Sequence, residues 1–195
     1  AAGDVRWLGE ARALEALLAK HFFDDASGGY FFVADDHEAL IHRSKDPYDG
    51  ATPSGNSVAT LALLRLHQLT GDVAMRTRAE RTLKLYASAL ATSPRAFPQM
   101  LLAADFQLGP AQTLVLIDDG SDQARQMRRE VTQSFFPRLT LAGTRLDASP
   151  GDADVAAILA GKQPLQGKAT AYLCEGFACK APVTTAAELH AQLAR

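Results

Sequence analysis

The residues of this chain best suited to chemistry lie together in residues 37–57, which read HEALIHRSKDPYDGATPSGNS. This segment, called the 37–57 loop below, places ionisable, aromatic and turn-forming side chains between two segments with helical patterns. Helix interiors tolerate such mixtures poorly, whereas loops held by a rigid scaffold use them for binding and catalysis. We therefore predict that the 37–57 loop faces a ligand.

Four side chains of the loop could take part in acid/base chemistry: His37, His42, Asp46 and Asp49. The two aspartates flank Pro47 and Tyr48 and would form a catalytic pair if the fold brought both to one reacting centre. Aromatic and imidazole rings can stack on the faces of a sugar, and carboxylates and amides can bind its hydroxyl groups. A sugar is therefore the expected ligand.

The candidate substrate-binding residues are Arg43, Lys45, Tyr48, Ser54 and Asn56. A purely structural interpretation explains the TPSGN part of the loop equally well. Thr52 and Pro53 are typical of the N-cap and first turn of a helix, while Gly and Asn residues shape the backbone of turns. From the sequence, both interpretations stay open.

A zinc protease site is excluded by spacing. His37, Glu38 and His42 form HExxxH, whereas the zinc motif requires two histidines four residues apart on one helix face. The extra residue rotates the second ring by about 140° on a helix of 3.6 residues per turn. The chain also lacks a GxSxG elbow and a Gly-rich phosphate loop, so we expect no metal and no cofactor.

Composition limits the partners and the compartment. Hydrophobic residues make up 47%, charged residues 22%, and the net charge is −2, which argues against a nucleic-acid partner. No apolar run reaches the roughly 20 residues of a membrane span. We expect a cytoplasmic protein in which Cys174 and Cys179 are two free thiols, with a disulfide or a redox role as the alternative.

Hydrophobic periodicity predicts a mainly α chain with a small α/β tail. Helices are expected over residues 5–22, 58–69, 75–90 and 94–105, with 58–69 and 75–90 forming an αα-hairpin. A buried strand over 113–117, a helix over 124–135 and a strand over 139–142 then form a parallel βαβ unit. A third strand is expected over 169–173 and a last helix over 188–193. The predicted domains are a helical region, 1–107, and an α/β subdomain, 108–195.

Three motifs carry a family resemblance: GGYFFVADDHEALIHRSKDPYDGATPSGNSVATLALLRL, QTLVLID and KATAYLCEGFACKAPVT. With them the chain resembles the C-terminal part of the thioredoxin-domain-containing family related to spermatogenesis-associated thioredoxin-like protein. That resemblance implies the last hairpins of an (α/α)6 toroid of the six-hairpin glycosidase type, similar to N-acylglucosamine 2-epimerase. The 37–57 loop would then face the central cavity of the toroid.

The resemblance implies a fragment of a carbohydrate-binding or carbohydrate-processing protein, epimerase-like or glycosidase-like, that is inactive alone. In the alternative interpretation, the chain is a non-enzymatic interaction module. Such a module would dock onto the remainder of a longer polypeptide or associate with another copy of itself.

Overall fold

The computed structural model describes residues 6–38, 41–146, 158–176 and 178–194. The chain divides into two compact units. The helical unit comprises Leu8–His67 and Gly71–Gly109, and the α/β unit comprises Pro110–Arg195 with the short segments Ala1–Trp7 and Gln68–Thr70. The expectation of a mainly α chain with a small α/β part is confirmed, whereas the toroid and the domain limits 1–107 and 108–195 stay predictions.

Four α-helices precede the sheet: α1 (Arg6–Phe22), α2 (Gly55–Thr70), α3 (Val73–Thr92) and α4 (Pro98–Leu108). A single 3-10 turn at Pro94–Ala96 leads into α4. All four helices lie where the hydrophobic periodicity predicts them, because each carries a run of apolar residues at helical spacing.

The start of α2 differs from the prediction. Ser54, rather than Thr52, is the N-cap, and its Oγ accepts a hydrogen bond from the Ser57 backbone N–H at 3.1 Å. An N-cap is the residue just before the first helical residue, and its side chain accepts from an N–H two or three residues later. Because the helix begins at Gly55, that residue is Ser54. The prediction that Thr52 caps this helix is therefore wrong.

Most buried apolar side chains of the helical unit come from three helices: Ala59, Leu61, Leu63 and Leu64 of α2, Met75 and Ala79 of α3, and Met100, Ala103 and Phe106 of α4. Although α2 is apolar nearly all round in sequence, Val58 on its other side is exposed. One side of this apolar helix is thus left uncovered by the described residues.

The α/β unit contains a four-stranded mixed sheet in the order β2-β1-β3-β4. Strand β1 (Gln112–Asp118) leads through helix α5 (Asp122–Thr132) to β2 (Leu139–Arg145), which pairs with β1 in parallel. The predicted βαβ unit is confirmed. Strand β3 (Thr170–Glu175) lies antiparallel to β1 on its other side, and the last helix, α6, is Ala186–Leu193.

The sheet ends in a short edge strand, β4 (Ala178–Cys179), which hydrophobic periodicity does not predict because it has only two residues. Both faces of β1 are buried. Leu114 and Leu116 pack in one cluster with Met127 of α5 and Leu189 of α6, and Val115 and Ile117 pack in a second cluster with Tyr172 and Cys174. This burial explains the continuous apolar run TLVLI. Across the described residues, no helix has the length and apolar character to cross a membrane.

Candidate functional site

The central part of the 37–57 loop is an extended segment whose side chains alternate between two directions. One set is exposed: His42, Ser44, Asp46 and Tyr48. The interleaved set is half-buried or buried: Arg43, Lys45, Pro47 and Asp49. This period of two is the one an extended chain imposes, and here it separates displayed side chains from anchoring ones.

Arg43 anchors the segment by its guanidinium. That group stacks over the ring of Phe31 at 4.1 Å and donates to the carbonyl oxygens of Val33 at 2.7 Å and His21 at 3.1 Å. A planar guanidinium can serve the ring and both carbonyls at once. Nε and Nη2 of Arg43 therefore donate within the protein.

Lys45 anchors the next inward position. Its Nζ forms an ion pair with Asp24 Oδ2 at 2.6 Å and donates to Ser27 Oγ at 2.7 Å and the Gly28 carbonyl at 2.9 Å. The ammonium, followed by the Ser27 hydroxyl, holds the pKa of Asp24 well below its usual range. Lys45 thus ties the loop to the turn that follows α1.

Asn56, in the first turn of α2, pairs with the backbone of Tyr30. Its Oδ1 accepts from the Tyr30 N–H at 2.7 Å, and its Nδ2 donates to the Tyr30 carbonyl at 2.9 Å and the Asp46 carbonyl at 3.2 Å. With 4% of its surface exposed, Asn56 is buried. The amide thus satisfies both backbone polar groups of Tyr30.

Asp49 is also buried, at 7% exposure, and its carboxylate accepts three backbone N–H groups. Oδ1 accepts from Ser54 at 2.8 Å, while Oδ2 accepts from Gln99 at 2.9 Å and Met100 at 3.2 Å. The last two N–H groups belong to the first turn of α4, where a negative charge is favoured. Ser54 itself is engaged as the N-cap of α2, so both residues fix helix starts.

The displayed side chains are differently placed. Asp46 Oδ1 accepts from the Tyr48 backbone N–H at 2.9 Å, which forms a local turn and keeps the carboxylate at the surface. Tyr48 is 57% exposed, with its Cε1 3.3 Å from the point where a Cβ on Gly50 would lie. His37 and His42 are both exposed. The structure thus displays four of the predicted site residues: His37, His42, Asp46 and Tyr48.

Tyr86 of α3 is a further polar group near this segment, and by its spacing in the sequence it belongs to the apolar stripe of that helix. Burial, with a smaller contribution from the Asp46 charge, raises the pKa of Tyr86 to about 12. Its buried hydroxyl has no hydrogen-bond partner among the described residues. A hydroxyl on the buried face of a helix needs a partner, and that requirement is the signal that could have drawn attention to it.

Among the described residues, the His21, Asp35 and Asp36 side chains have the types and proximity that could hold a metal ion. His21 Nδ1 lies 2.8 Å from Asp35 Oδ1 and 3.5 Å from Asp36 Oδ2. The contact with His21 lowers the pKa of Asp35. An imidazole–carboxylate pair accounts for these distances without an ion, and neither histidine of the HExxxH pattern belongs to the group.

Arg76, Arg78 and Arg81 lie opposite the apolar stripe of α3, a spacing that predicts a solvated face, but Arg78 and Arg81 have partners within the protein. Arg78 is paired with Glu15 of α1 in a largely buried contact. Arg81 lies over the ring of Phe23 at 5.0 Å and donates to the Asp25 carbonyl at 2.6 Å. The expectation fails because periodicity alone does not reveal that α1 and the following turn lie against this face of α3.

Cys174 and Cys179 form a disulfide, so the expectation of two free thiols is wrong and the alternative is observed. The two residues face each other at paired positions of β3 and β4. Glu175 and Ala178 are also paired in this ladder, so residues five apart in the sequence lie opposite one another. The missed hairpin is therefore the reason for the missed disulfide.

No known protein-family model matches the chain. It is 31% identical over 191 residues to spermatogenesis-associated protein 20 of Homo sapiens, covering 97% of this chain and 24% of that protein. The rat protein of the same name is 30% identical over the same share of each chain. An uncharacterised Caenorhabditis elegans protein is 27% identical over 190 residues, covering 96% of this chain and 25% of that protein.

The chain thus spans about a quarter of the length of the curated relatives it matches. Nearly all of its residues take part in each match, including both units described above. An identity of about 30% over 97% of the chain supports the spermatogenesis-associated family that the three sequence motifs indicate.

Proposed function

We propose that this chain is part of a carbohydrate-binding or carbohydrate-processing protein and that the exposed edge of the 37–57 loop contacts the sugar. The observation that carries the proposal is the alternation of residues 42–49. Inward side chains fix the segment to the helical unit, and outward side chains are left accessible. A ligand-binding edge requires that some side chains anchor the segment while others stay accessible, since a recognition group must be held in place to bind well.

The chemistry of the displayed edge suits a polyhydroxylated ligand. Tyr48 offers a ring for stacking on a sugar face, Asp46 offers carboxylate oxygens to hydroxyl groups, and His42 can donate or accept. Successive outward residues of an extended chain lie about 7 Å apart, which is comparable to the width of a pyranose ring. The edge is accordingly matched to one or two sugar units.

Asp46 and Asp49 are unequal candidates for acid/base chemistry. The oxygens of Asp49 already accept three backbone N–H groups, whereas Asp46 is exposed. We assign Asp49 to positioning and Asp46, His37 and His42 to contact with the ligand. Two carboxylates on opposite sides of a sugar would require a second carboxylate from another part of the polypeptide.

The helical toroid belongs to the same proposal. Leu14 and Leu17 of α1 are 67% and 55% exposed and lie on one side of the helix, while α2 exposes Val58. Monomeric proteins seldom leave apolar helix faces uncovered. Further helices of a longer polypeptide would cover these faces, in agreement with the quarter of the relatives' length that the chain spans.

A panel of mono- and disaccharides added to the full-length polypeptide that carries this chain tests the proposal. A sugar that binds only the folded protein raises the melting temperature with increasing concentration. The shift should disappear in Tyr48→Ala and persist in Val73→Ala, an exposed apolar residue at the start of α3. No shift with any sugar would instead favour the interaction module, whose exposed apolar faces serve a protein partner.

A further inference from the structure

The disulfide between Cys174 and Cys179 joins two residues in very different surroundings. Cys174 is 6% exposed and packs with Val115, Ile117 and Tyr172 on one face of the sheet. Cys179 is exposed and belongs to β4, the edge strand of the sheet. One sulfur is therefore shielded by the core, and the other is open to a reagent approaching from the edge.

This bond is not needed to close the hairpin. The pairs Cys174 with Cys179 and Glu175 with Ala178 belong to the β3–β4 ladder, and the Lys180 N–H donates to the Leu173 carbonyl at 2.9 Å. A bridge between Ala171 and Val183 continues the pairing beyond β4. The disulfide spans a sequence separation of only 5, and a loop this short provides less chain-entropy stabilisation than a longer loop would.

A cleft of about 340 Å³ opens beside the disulfide. The two cysteines lie in its wall, together with Gln112, Glu175 and Lys180. The carboxylate and the ammonium give the cleft groups of both charges, and Leu173 and Ala178 give it an apolar part. The cleft provides space for a thiol-bearing molecule to reach the bond.

We propose that Cys174–Cys179 is a thiol–disulfide exchange site whose substrate is a dithiol. A thiolate of the dithiol attacks Cys179 Sγ, the bond between the two cysteines breaks, and Cys174 leaves as a thiolate that takes up a proton. The second thiolate of the dithiol then attacks the dithiol sulfur that is bound to Cys179. Cys179 leaves as a thiolate and takes up a proton. Two electrons and two protons pass to the protein, and the dithiol becomes a disulfide.

We assign the attack to Cys179 because its sulfur is the one that an incoming thiolate can reach. Exchange requires the incoming sulfur, the attacked sulfur and the leaving sulfur to approach a line, so the attacked atom must be reachable. Cys179 meets that requirement on the edge strand, whereas the core packing of Cys174 obstructs it. After reduction, the ladder and the packing of Tyr172 and Ile117 keep both thiols in place for reoxidation.

The test uses the native full-length polypeptide in buffers with graded ratios of reduced to oxidised dithiothreitol, with thiols trapped by maleimide and located by peptide mass spectrometry. Cys174 and Cys179 should become reduced together in one reversible transition, with the circular dichroism spectrum unchanged. Reduction that occurs only after denaturant unfolds the protein would overturn the proposal.

A separate experiment tests which of the two sulfurs is attacked. Glutathione added to the native oxidised protein should give a mixed disulfide on Cys179, located in the wild-type protein by mass spectrometry. Cys174→Ser, which leaves Cys179, should react with Ellman's reagent about 10-fold faster than Cys179→Ser, which leaves Cys174, because reactivity follows access. A glutathione adduct on Cys174, or equal rates in two folded variants, would contradict the assigned order of attack.

Discussion

Asn56 binds both backbone polar groups of Tyr30 through its side-chain amide. The same amide donates to the Asp46 carbonyl, so one buried side chain joins the start of α2, the turn after α1 and the displayed edge. Tyr30 also forms a bridge with Phe23, but the hydrogen bonds of that bridge involve neighbouring residues and leave the Tyr30 N–H and carbonyl to Asn56. The geometry of the edge therefore depends on Asn56.

Asn56→Ala should expose the Tyr30 amide to solvent exchange. A buried donor without a partner costs about 2 kcal/mol, which corresponds to roughly 30-fold faster exchange when opening is local. Hydrogen-exchange mass spectrometry of a peptide containing Tyr30 measures this rate. Ser44→Ala, on the exposed side of the loop, is the matched control and should leave it unchanged. Equal protection in Asn56→Ala and the wild type would refute the role of the amide.

Asp49→Asn should destabilise the protein even though it preserves size. An Asn side chain has one oxygen where the carboxylate has two, and its NH2 group would face a backbone N–H of Ser54 or of α4. We expect a loss of about 1–3 kcal/mol in the free energy of unfolding, measured by urea titration. Asp46→Asn, which changes an exposed carboxylate, should cost less than about 0.5 kcal/mol. Similar losses in the two variants would argue against an anchoring role for Asp49.

Gly28→Ala should cost more stability than Gly71→Ala, although both glycines have left-handed backbones with φ of +82° and +74°. A Cβ on Gly28 would lie 3.0 Å from the Arg81 carbonyl oxygen, whereas a Cβ on Gly71 would meet open space. The conformational cost of about 1–2 kcal/mol is common to both, so the difference isolates the packing of the turn against α3. Thermal unfolding of the two variants gives the comparison, and equal losses would mean that the turn moves away freely.

Acid should weaken the contact between Asp24 and Lys45. The pKa of Asp24 is lowered in the folded protein, so its contribution to stability is present above the ordinary value of 3.8 and is lost as pH falls below it. Asp24→Asn should therefore be less stable than the wild type at pH 6. The difference in the free energy of unfolding between the two proteins should become smaller towards pH 2. Unfolding free energies across that range provide the measurement. Asp25→Asn, at a highly exposed carboxylate, is the control, and a gap independent of pH would contradict the ion pair.

The helices and the βαβ unit could be predicted because their apolar residues repeat at short, regular intervals. The position of the 37–57 loop between α1 and α2 follows from the same pattern. The partners of Asn56 could not be predicted, since Tyr30 lies 26 residues earlier in the chain and no local pattern connects them. The N-cap is Ser54 and not Thr52 because α2 begins at Gly55, two residues after the position that Pro53 suggests.

The sequence also does not show which side chains of the loop anchor it and which are displayed. Arg43, Lys45 and Asp49 have side chains typical of a binding site, yet each finds its partners within the protein. Alternation along an extended segment distinguishes them from His42, Asp46 and Tyr48, but the segment lacks the apolar residues that would have revealed its period. Long polar side chains can face inward when rings and carbonyls receive them, as Phe31 and Val33 do for Arg43.

Calorimetric titration of the full-length polypeptide with the saccharide that most raises its melting temperature tests the central claim most directly. Tyr48→Phe keeps the ring and should bind with nearly wild-type affinity, whereas Tyr48→Ala should weaken binding by about 10-fold or more, as expected for the loss of a stacking ring. Both variants should melt within a few degrees of the wild type, because Tyr48 is exposed. Unchanged affinity in Tyr48→Ala would show that the displayed edge of the loop does not contact the sugar.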